Sequence, residues 1–452
     1  MSGLAMRRRL MKFDNFRLCG ERPVFLTLTL ACLMFAHGCA SADPESETYP
    51  PYQERAQSQS SGDLTVTAAV PTAEEAEQIY DVDLFDKQIQ PVWVEVRNDS
   101  DQFYWLLTTG IDPNSFATTE VAEAFREDIT IDIEELRARL DDLAFKNPVM
   151  PGTTASGFVL TNLDEGFKAV DIDLISRAKA KSFGFTTRDP TFKSVSSTVD
   201  FENLYSSEEI VHVEDEAEFR RLLEELPCCT TNEDGDEYGD PLNIVIIGTK
   251  DDFAAAGLRR HWHPTEIIHA DSLWRTVTSF LEGSRYRYSP ISPLYVFGRS
   301  QDMAAQKARA TIHERNHARF WLTPIRFRGQ EVWVGQISRD IGVKYTLKSP
   351  TISTHVIDPD VDEARRYLVE DIAYSQSLAK IGFVKGVGVV PKGDPRYNLV
   401  GDPYYTDGLR AVMFVEPRPR TLSNISRLDW EIPPADRRVA QEQGNVTQGG
   451  TQ

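Results

Sequence analysis

A chain of 452 residues is too long for one ordinary core, and an apolar content of 41% with seven Trp and 23 Phe excludes a wholly disordered polymer. The formal charge is −20, and residues 1–38 carry six Lys and Arg against Asp14 and Glu21, so the remainder is more acidic still. Such a surface repels phosphate backbones, which argues against nucleic acid as a partner, and it gives no electrostatic help toward anionic lipid.

The N-terminus has the order of a secretory signal. A basic stretch from Arg7 to Arg22 leads into the apolar run Val24–Ala36, followed by the small residues Gly38-Cys39-Ala40. Residues 1–38 are therefore expected to be a signal peptide. The apolar run is shorter than the ~18–20 residues of a stable membrane-spanning helix, and no later run reaches that length. Ala36-His37-Gly38-Cys39 reads as a lipobox, which would attach lipid to Cys39 and hold the protein at a membrane on the periplasmic side of the cell envelope. Ala40-Ser41-Ala42 offers the rival cleavage, which would release a soluble periplasmic or secreted protein from Asp43. The place of Cys39 at the end of the apolar run favours the lipoprotein. Residues 39–62, rich in Pro, Ser, Gln and Glu, are expected to be a disordered tether.

Residues 63–206 carry mainly strand patterns. Val92, Val94 and Val96 alternate with Trp93, Glu95 and Arg97, a period of two. Asn98–Asp101 reads as a turn and Phe103–Leu107 as the return strand. Gly157–Leu163 and Val170–Leu174 form a further pair around the turn at Leu163–Gly166. Leu136, Leu140 and Leu143 mark one helical insert. This spacing predicts an antiparallel β-sandwich-like domain.

Residues 207–416 interleave helices with strands. Asp215 and Glu218 open a helix whose face is Phe219, Leu222, Leu223 and Leu226, and Pro227 stops it. Asn243–Ile247 is a continuous apolar run ending at Gly248, the mark of a central strand buried on both faces. Leu273, Trp274, Val277, Phe280 and Leu281 predict an amphipathic helix. Leu294–Phe297, His317–Leu322, Val332–Ile337 and Arg410–Val415 predict strands, and a last helix starts near Asp360. The fold class expected is α/β plus all-β, with the sandwich followed by an α/β sandwich around a mixed sheet. Residues 417–452, polar and rich in Pro, Gln and Gly, are expected to be a disordered tail.

Several motifs in the second half stand in a recognisable order. They are Leu226-Pro-Cys-Cys-Thr-Thr-Asn232, Asp240-Pro-Leu-Asn-Ile-Val-Ile-Ile-Gly248 and Ser292-Pro-Leu-Tyr-Val-Phe-Gly-Arg-Ser-Gln-Asp302. His317-Ala-Arg-Phe-Trp321, Val332-Trp-Val-Gly335, Arg339-Asp-Ile-Gly342, His355-Val-Ile-Asp-Pro-Asp-Val-Asp362 and Gly401-Asp-Pro-Tyr-Tyr-Thr-Asp-Gly408 follow. Over about 200 residues this region resembles the LssY-like C-terminal domain, and Ile89–Trp93 with Phe158–Gly166 resembles the domain that precedes it in envelope members. The resemblance implies a fold unit without an assigned reaction. Some relatives join this domain to a lipid-phosphatase-like membrane module, which this sequence lacks, so no phosphatase activity is carried over.

Polar residues gather around His317, Arg319, Asp340, His355, Asp358, Asp360 and Asp362. His317 and Arg319 share one face of a strand. If that face meets His355, then His317, His355, Asp358 and Asp360 could perform acid–base hydrolysis or hold a metal, with Arg319, Asp340 and Asp362 binding. The alternative use is structural, with Asp358 or Asp360 capping the last helix and Asp362 complementing its dipole. Cys228 and Cys229 read as buried free thiols, with a vicinal disulfide as the other option. Asn232, Asp234 and Asp236 lack the Gly and Glu of a calcium loop and read as a solvated turn. His261 and His263, beside Arg259 and Arg260, read as an exposed loop. No nucleotide-binding, serine-hydrolase or zinc-protease motif occurs. Sequence therefore favours a binding or accessory module, tied to a membrane through lipid and open to an envelope protein partner, over an enzyme of unknown cofactor.

Overall fold

Alternating apolar residues between residues 57 and 188 build two sheets facing one another. The computed structural model describes residues 49–177, 179–266, 291–308, 315–345, 353–434 and 436, apart from the side chains of 343–345 and 353–355. The segment expected to be a signal peptide, Cys39 and the helix expected around Leu273–Leu281 lie outside the described residues. One sheet contains β1 (Gln57–Ser61), β2 (Leu64–Ala69), β3 (Ile89–Asn98) and β5 (Thr153–Asn162), in that antiparallel order. The other contains β4 (Trp105–Leu107), β6 (Phe167–Ile175) and β7 (Ala180–Arg188). Val92, Val94 and Val96 meet Val170, Ile172, Leu174, Phe183 and Phe185 in the core between them. On the outer face of the first sheet lie α1 (Ala73–Tyr80), α3 (Thr118–Ala124) and α4 (Ile133–Leu143), where Tyr80, Val121, Leu136 and Leu140 pack on Phe158 and Leu160, whereas α2 (Thr108–Ile111) lies against β6 and puts Ile111 into the core between the sheets.

Two expectations change here. β5 and β6 are joined by a turn yet belong to different sheets, and β4 pairs with β6 rather than returning on β3. Period-two alternation assigns faces and is silent about partners. The tether expected over residues 39–62 also ends earlier, because Gln57–Ser61 pairs along its length with β2. Its side chains need no core. Ser58 and Ser60 share hydroxyl hydrogen bonds with Thr67 and Thr65, while Gln57 and Gln59 donate to the carbonyls of Thr186 and Gly184 on β7. Two amides thus bridge the edges of the two sheets.

The second half is organised by a ten-stranded mixed sheet. In chain order it begins with β8 (Val211–Val213) and α5 (Glu216–Glu225), then β9 (Cys229–Thr231), β10 (Tyr238–Pro241), β11 (Ile244–Ile247), α6 (Lys250–Leu258) and β12 (His263–Pro264). β13 (Tyr295–Val296), β14 (Arg299–Ser300), β15 (Met303–Ala308), β16 (Arg315–Phe327), β17 (Gln330–Tyr345) and β18 (Ser353–Ile357) follow. The last elements are α7 (Val361–Tyr374), β19 (Leu378–Lys385), the short pair β20 (Arg396–Tyr397) and β21 (Pro403–Tyr404), β22 (Leu409–Val415) and β23 (Ser426–Arg427). The large sheet runs β12-β15-β16-β17-β11-β22-β19-β23, with β18 on β17 and β8 on β16, while β9, β10, β13 and β14 form a small sheet of their own. β11 is central as expected, antiparallel to β17 and parallel to β22, with all four residues buried. Ile244 and Ile246 face α6 and α7, and Val245 and Ile247 face α5.

Asp215 caps α5 through the Glu218 N–H, and Asp360 caps α7 through the Glu363 N–H. The segment after residue 416, expected to be disordered, continues the fold as far as it is described. β23 pairs in parallel with β19, Glu431 N donates to Phe383 O, and Leu428 and Trp430 lie over Gly382, where a Cβ would meet Leu428 at 2.9 Å. A few anchor residues hold a stretch whose average composition is polar.

From Pro50 onward the described chain is one compact unit. Asp171 on β6 is the junction. It accepts both an Arg259 Nε hydrogen bond at 2.8 Å and an Arg418 ion pair at 3.0 Å, and Arg418 also reaches Asp173. Gly184, opposite Asp171 on β7, leaves the space for this arrangement, since a Cβ there would lie 2.8 Å from the Arg259 guanidinium.

Candidate functional site

Along β16, Ala318, Phe320 and Leu322 point into the core under α6, so Arg315, His317 and Arg319 must point the other way. The register places Gln306 of β15 and Ser338 of β17 beside His317, and Gln336 beside Arg319. The result is a buried polar row at one end of the sheet. His317 Nε2 lies 2.5 Å from Asp340 Oδ2, and Arg315 Nε stands 3.8 Å from the same oxygen. Arg315 donates to Gln306 at 2.8 Å, and Arg319 donates to Gln336 at 3.0 Å and to the carbonyl of Ser292. Asp240 and Asn398, 3.0 Å apart, continue the buried polar set, and Asn398 in turn accepts from the Asp402 N–H.

Desolvation dominates the charges of this row. Burial pushes His317 below its ordinary pKa, against the pull of the Asp340 charge, and pushes Arg315 and Arg319 down as well. Burial raises Asp240, although Asn398 and Arg319 oppose it. An imidazole on a carboxylate is oriented for proton transfer in chemical principle. Here every member of the row is less than a tenth exposed.

The other residues singled out in the sequence fall into different places. Asp358 Oδ1 accepts from the Asp360 N–H, and Asp360 caps α7. Asp362 accepts from Thr406 Oγ1 at 2.7 Å and from the Asp407 N–H at 2.6 Å, and it pairs with Arg365. These carboxylates are occupied in fixing the start of α7 and the loop before β22. His355 stands opposite Val343 in the β17–β18 register, and its side chain lies outside the described residues. Among the described residues, no group of three or more His, Cys, Asp and Glu is gathered for a metal.

Three local readings are settled by geometry. Cys228 and Cys229, read as free thiols, are joined as a vicinal disulfide with Cα atoms 3.8 Å apart. Asn232 Oδ1 accepts from the backbone of Asp236 and Glu237, which makes the acidic segment an ordinary Asx-stabilised turn. The segment Arg259–His263 is not a free loop. Arg259 joins the two halves, Arg260 and the Trp262 indole both reach Asp371, and His263 is buried in β12. Phe103, Trp105 and Ile175 form exposed apolar positions at the free end of the β4–β6 pair.

The feature that sequence reading missed is a cleft of about 920 Å³ between the sandwich and the mixed sheet. Asp112, Asn162, Asp164 and Lys168 come from the sandwich side; Arg259, Tyr374, Gln376 and Arg418 come from the other. Burial works to raise Asp112 but is overcome by the backbone N–H groups of Asn162 and Asn114, which hold it below its ordinary value. Lys168, itself buried, donates to Asn162 O and pairs with Asp164 at 3.0 Å. No motif announces the cleft, because its walls come from loops and from strand ends far apart in sequence.

Comparison with known proteins adds one finding. Residues 221–409 match the family described as LssY C-terminus, a segment that runs from α5 to the start of β22 and includes the His317–Asp340 row. No curated protein and no solved structure matches the chain.

Proposed function

We propose that this chain, in which residues 221–409 form an LssY-like C-terminal domain, is a lipid-anchored protein of the cell envelope acting as a binding or accessory module. The observation that carries the binding reading is the cleft between the two halves. Ligand sites favour such junctions, where two rigid surfaces contribute convergent polar groups, and a volume of about 920 Å³ suits a small ligand. Rigidity is supplied by Asp171, Arg259 and Arg418, which hold the walls at a fixed spacing before any ligand arrives. The anchor reading is supported by the basic stretch, the apolar run Val24–Ala36 and Cys39 after it.

Anchor and cleft are tested separately. Fractionation of cells expressing the full chain should place it with membranes and shift a Cys39→Ser variant to the soluble fraction; equal partition of the two removes the lipoprotein. Native mass spectrometry of the full chain, purified from its own membranes, should show a bound small molecule, and a ligand-free chain under those conditions counts against the cleft as a binding site.

A further inference from the structure

The chemistry lining the cleft selects a class of ligand, an inference that rests on the binding reading above. Its charges are matched within the protein. Lys168 is met by Asp164, Arg259 and Arg418 share Asp171, and Arg260 pairs with Asp371. Asp112 has both oxygens occupied, one by the Asn114 N–H and the other by the backbone and side-chain nitrogens of Asn162. Glu165, His261 and His263, which also line the cleft, have partners of their own. An ionic ligand would have to displace one of these pairs and leave a charge uncompensated.

The remaining groups have a different character. Gln88 and Asn114 on one wall and Gln376 on the other are exposed amides; Gln88 Nε2 donates to Phe85 O and Gln376 Oε1 accepts a 3.4 Å bond from Arg418, and each amide keeps further donor and acceptor capacity. Tyr374 stands among them with 63% of its surface exposed, and Phe167 lies on the opposite side. The Tyr374 ring has the Arg260 guanidinium 5.8 Å from its centroid and still stays largely open to water; next to uncharged donors and acceptors, it fits a ligand with apolar faces and hydroxyl edges. The volume lies near the upper end of the roughly 300–1,000 Å³ usual for ligand clefts, so it holds more than one ring. We propose that the cleft binds a neutral saccharide chain, with Tyr374 covering a ring face and the amides of Gln88, Asn114 and Gln376 reading its hydroxyl groups.

Calorimetric titration of the full chain with cellohexaose and with chitohexaose tests this, with inorganic phosphate as the anionic contrast. Saturable binding of a saccharide is expected, weakened about fivefold or more in Tyr374→Ala and in Gln376→Ala. Both side chains are exposed, so thermal melting of the variants should match the parent and separate lost binding from lost folding. Failure of both saccharides to bind, or binding undiminished in both variants, overturns the assignment. If phosphate binds instead and loses affinity in the same variants, the ligand class is wrong and the cleft remains a binding site. If no probe binds and the chain carries no ligand from its own membranes, the binding reading falls too.

Discussion

His317 is buried against Asp340 between Arg315 and Arg319, and its folded pKa lies below the value near 6.5 of an unfolded histidine. As pH falls, the unfolded chain takes up the proton first. The stability linked to this residue is therefore fully present above the unfolded pKa and is lost as pH drops through it toward the folded value. Asp240 acts in the opposite sense, because burial raises its pKa and favours the protonated folded form. The readout is consequently a difference between proteins. Between pH 7 and pH 5 the melting temperature of the wild type should fall more steeply than that of His317→Gln. Parallel curves would mean that the imidazole keeps its unfolded pKa in the fold, and a shallower fall in the wild type would mean that Asp340 holds it charged.

At the scale of the element, the carboxylate cluster before α7 is a helix start. Asp360→Ala should cost about 1 kcal/mol in urea unfolding through loss of the cap, with ligand binding unchanged. An unaltered unfolding midpoint would deny Asp360 that role. This use was legible in the sequence, since Asp360 and Glu363 flank an apolar periodicity, as was the central strand, since Ile244–Ile247 offers no polar face. The shared face of His317 and Arg319 follows from strand alternation, and Asp340 meets His317 there, whereas Asp358, Asp360 and Asp362 are drawn to the start of α7. Partner choice was less legible. Nothing in Gly157–Asn162 or Phe167–Leu174 says that adjacent strands enter opposite sheets. Arg410 was the hardest to read. In an apolar strand it would be expected to reach water, yet it is fully buried, donating to the carbonyls of Leu223, Leu226, Pro227, Leu242 and Gly386, and burial pushes it down to about 10. Its acceptors are backbone oxygens, which carry no residue-type signal.

For the whole molecule, the consequential contact is Asp171 with Arg259 and Arg418. Its three side chains are each about a tenth exposed, so removing the carboxylate leaves two nearly buried cations facing one another. Asp171→Ala should cost about 3 kcal/mol, and calorimetry should then resolve separate melting of the sandwich and the mixed sheet. A single transition at the parent temperature would show that the halves cohere without it. The cleft was invisible in the sequence for the same reason that this contact was. Arg418 falls in a stretch whose composition predicts disorder, and its partner lies 247 positions earlier.

The position of β22 carries a consequence for how the chain is made. It lies between β11 and β19, deep within the sheet, although it is nearly the last strand to be synthesised. Until residues 409–415 have emerged, β11 has hydrogen-bonding partners on one side only, and Arg410 cannot engage the carbonyls of residues 223–227 and 242. The final layer cannot zip up vectorially from the N-terminus; it must wait, with an apolar strand edge uncovered, for the C-terminal strand to insert. Truncation at Leu409 would leave that edge open permanently, and with it a template for pairing between chains.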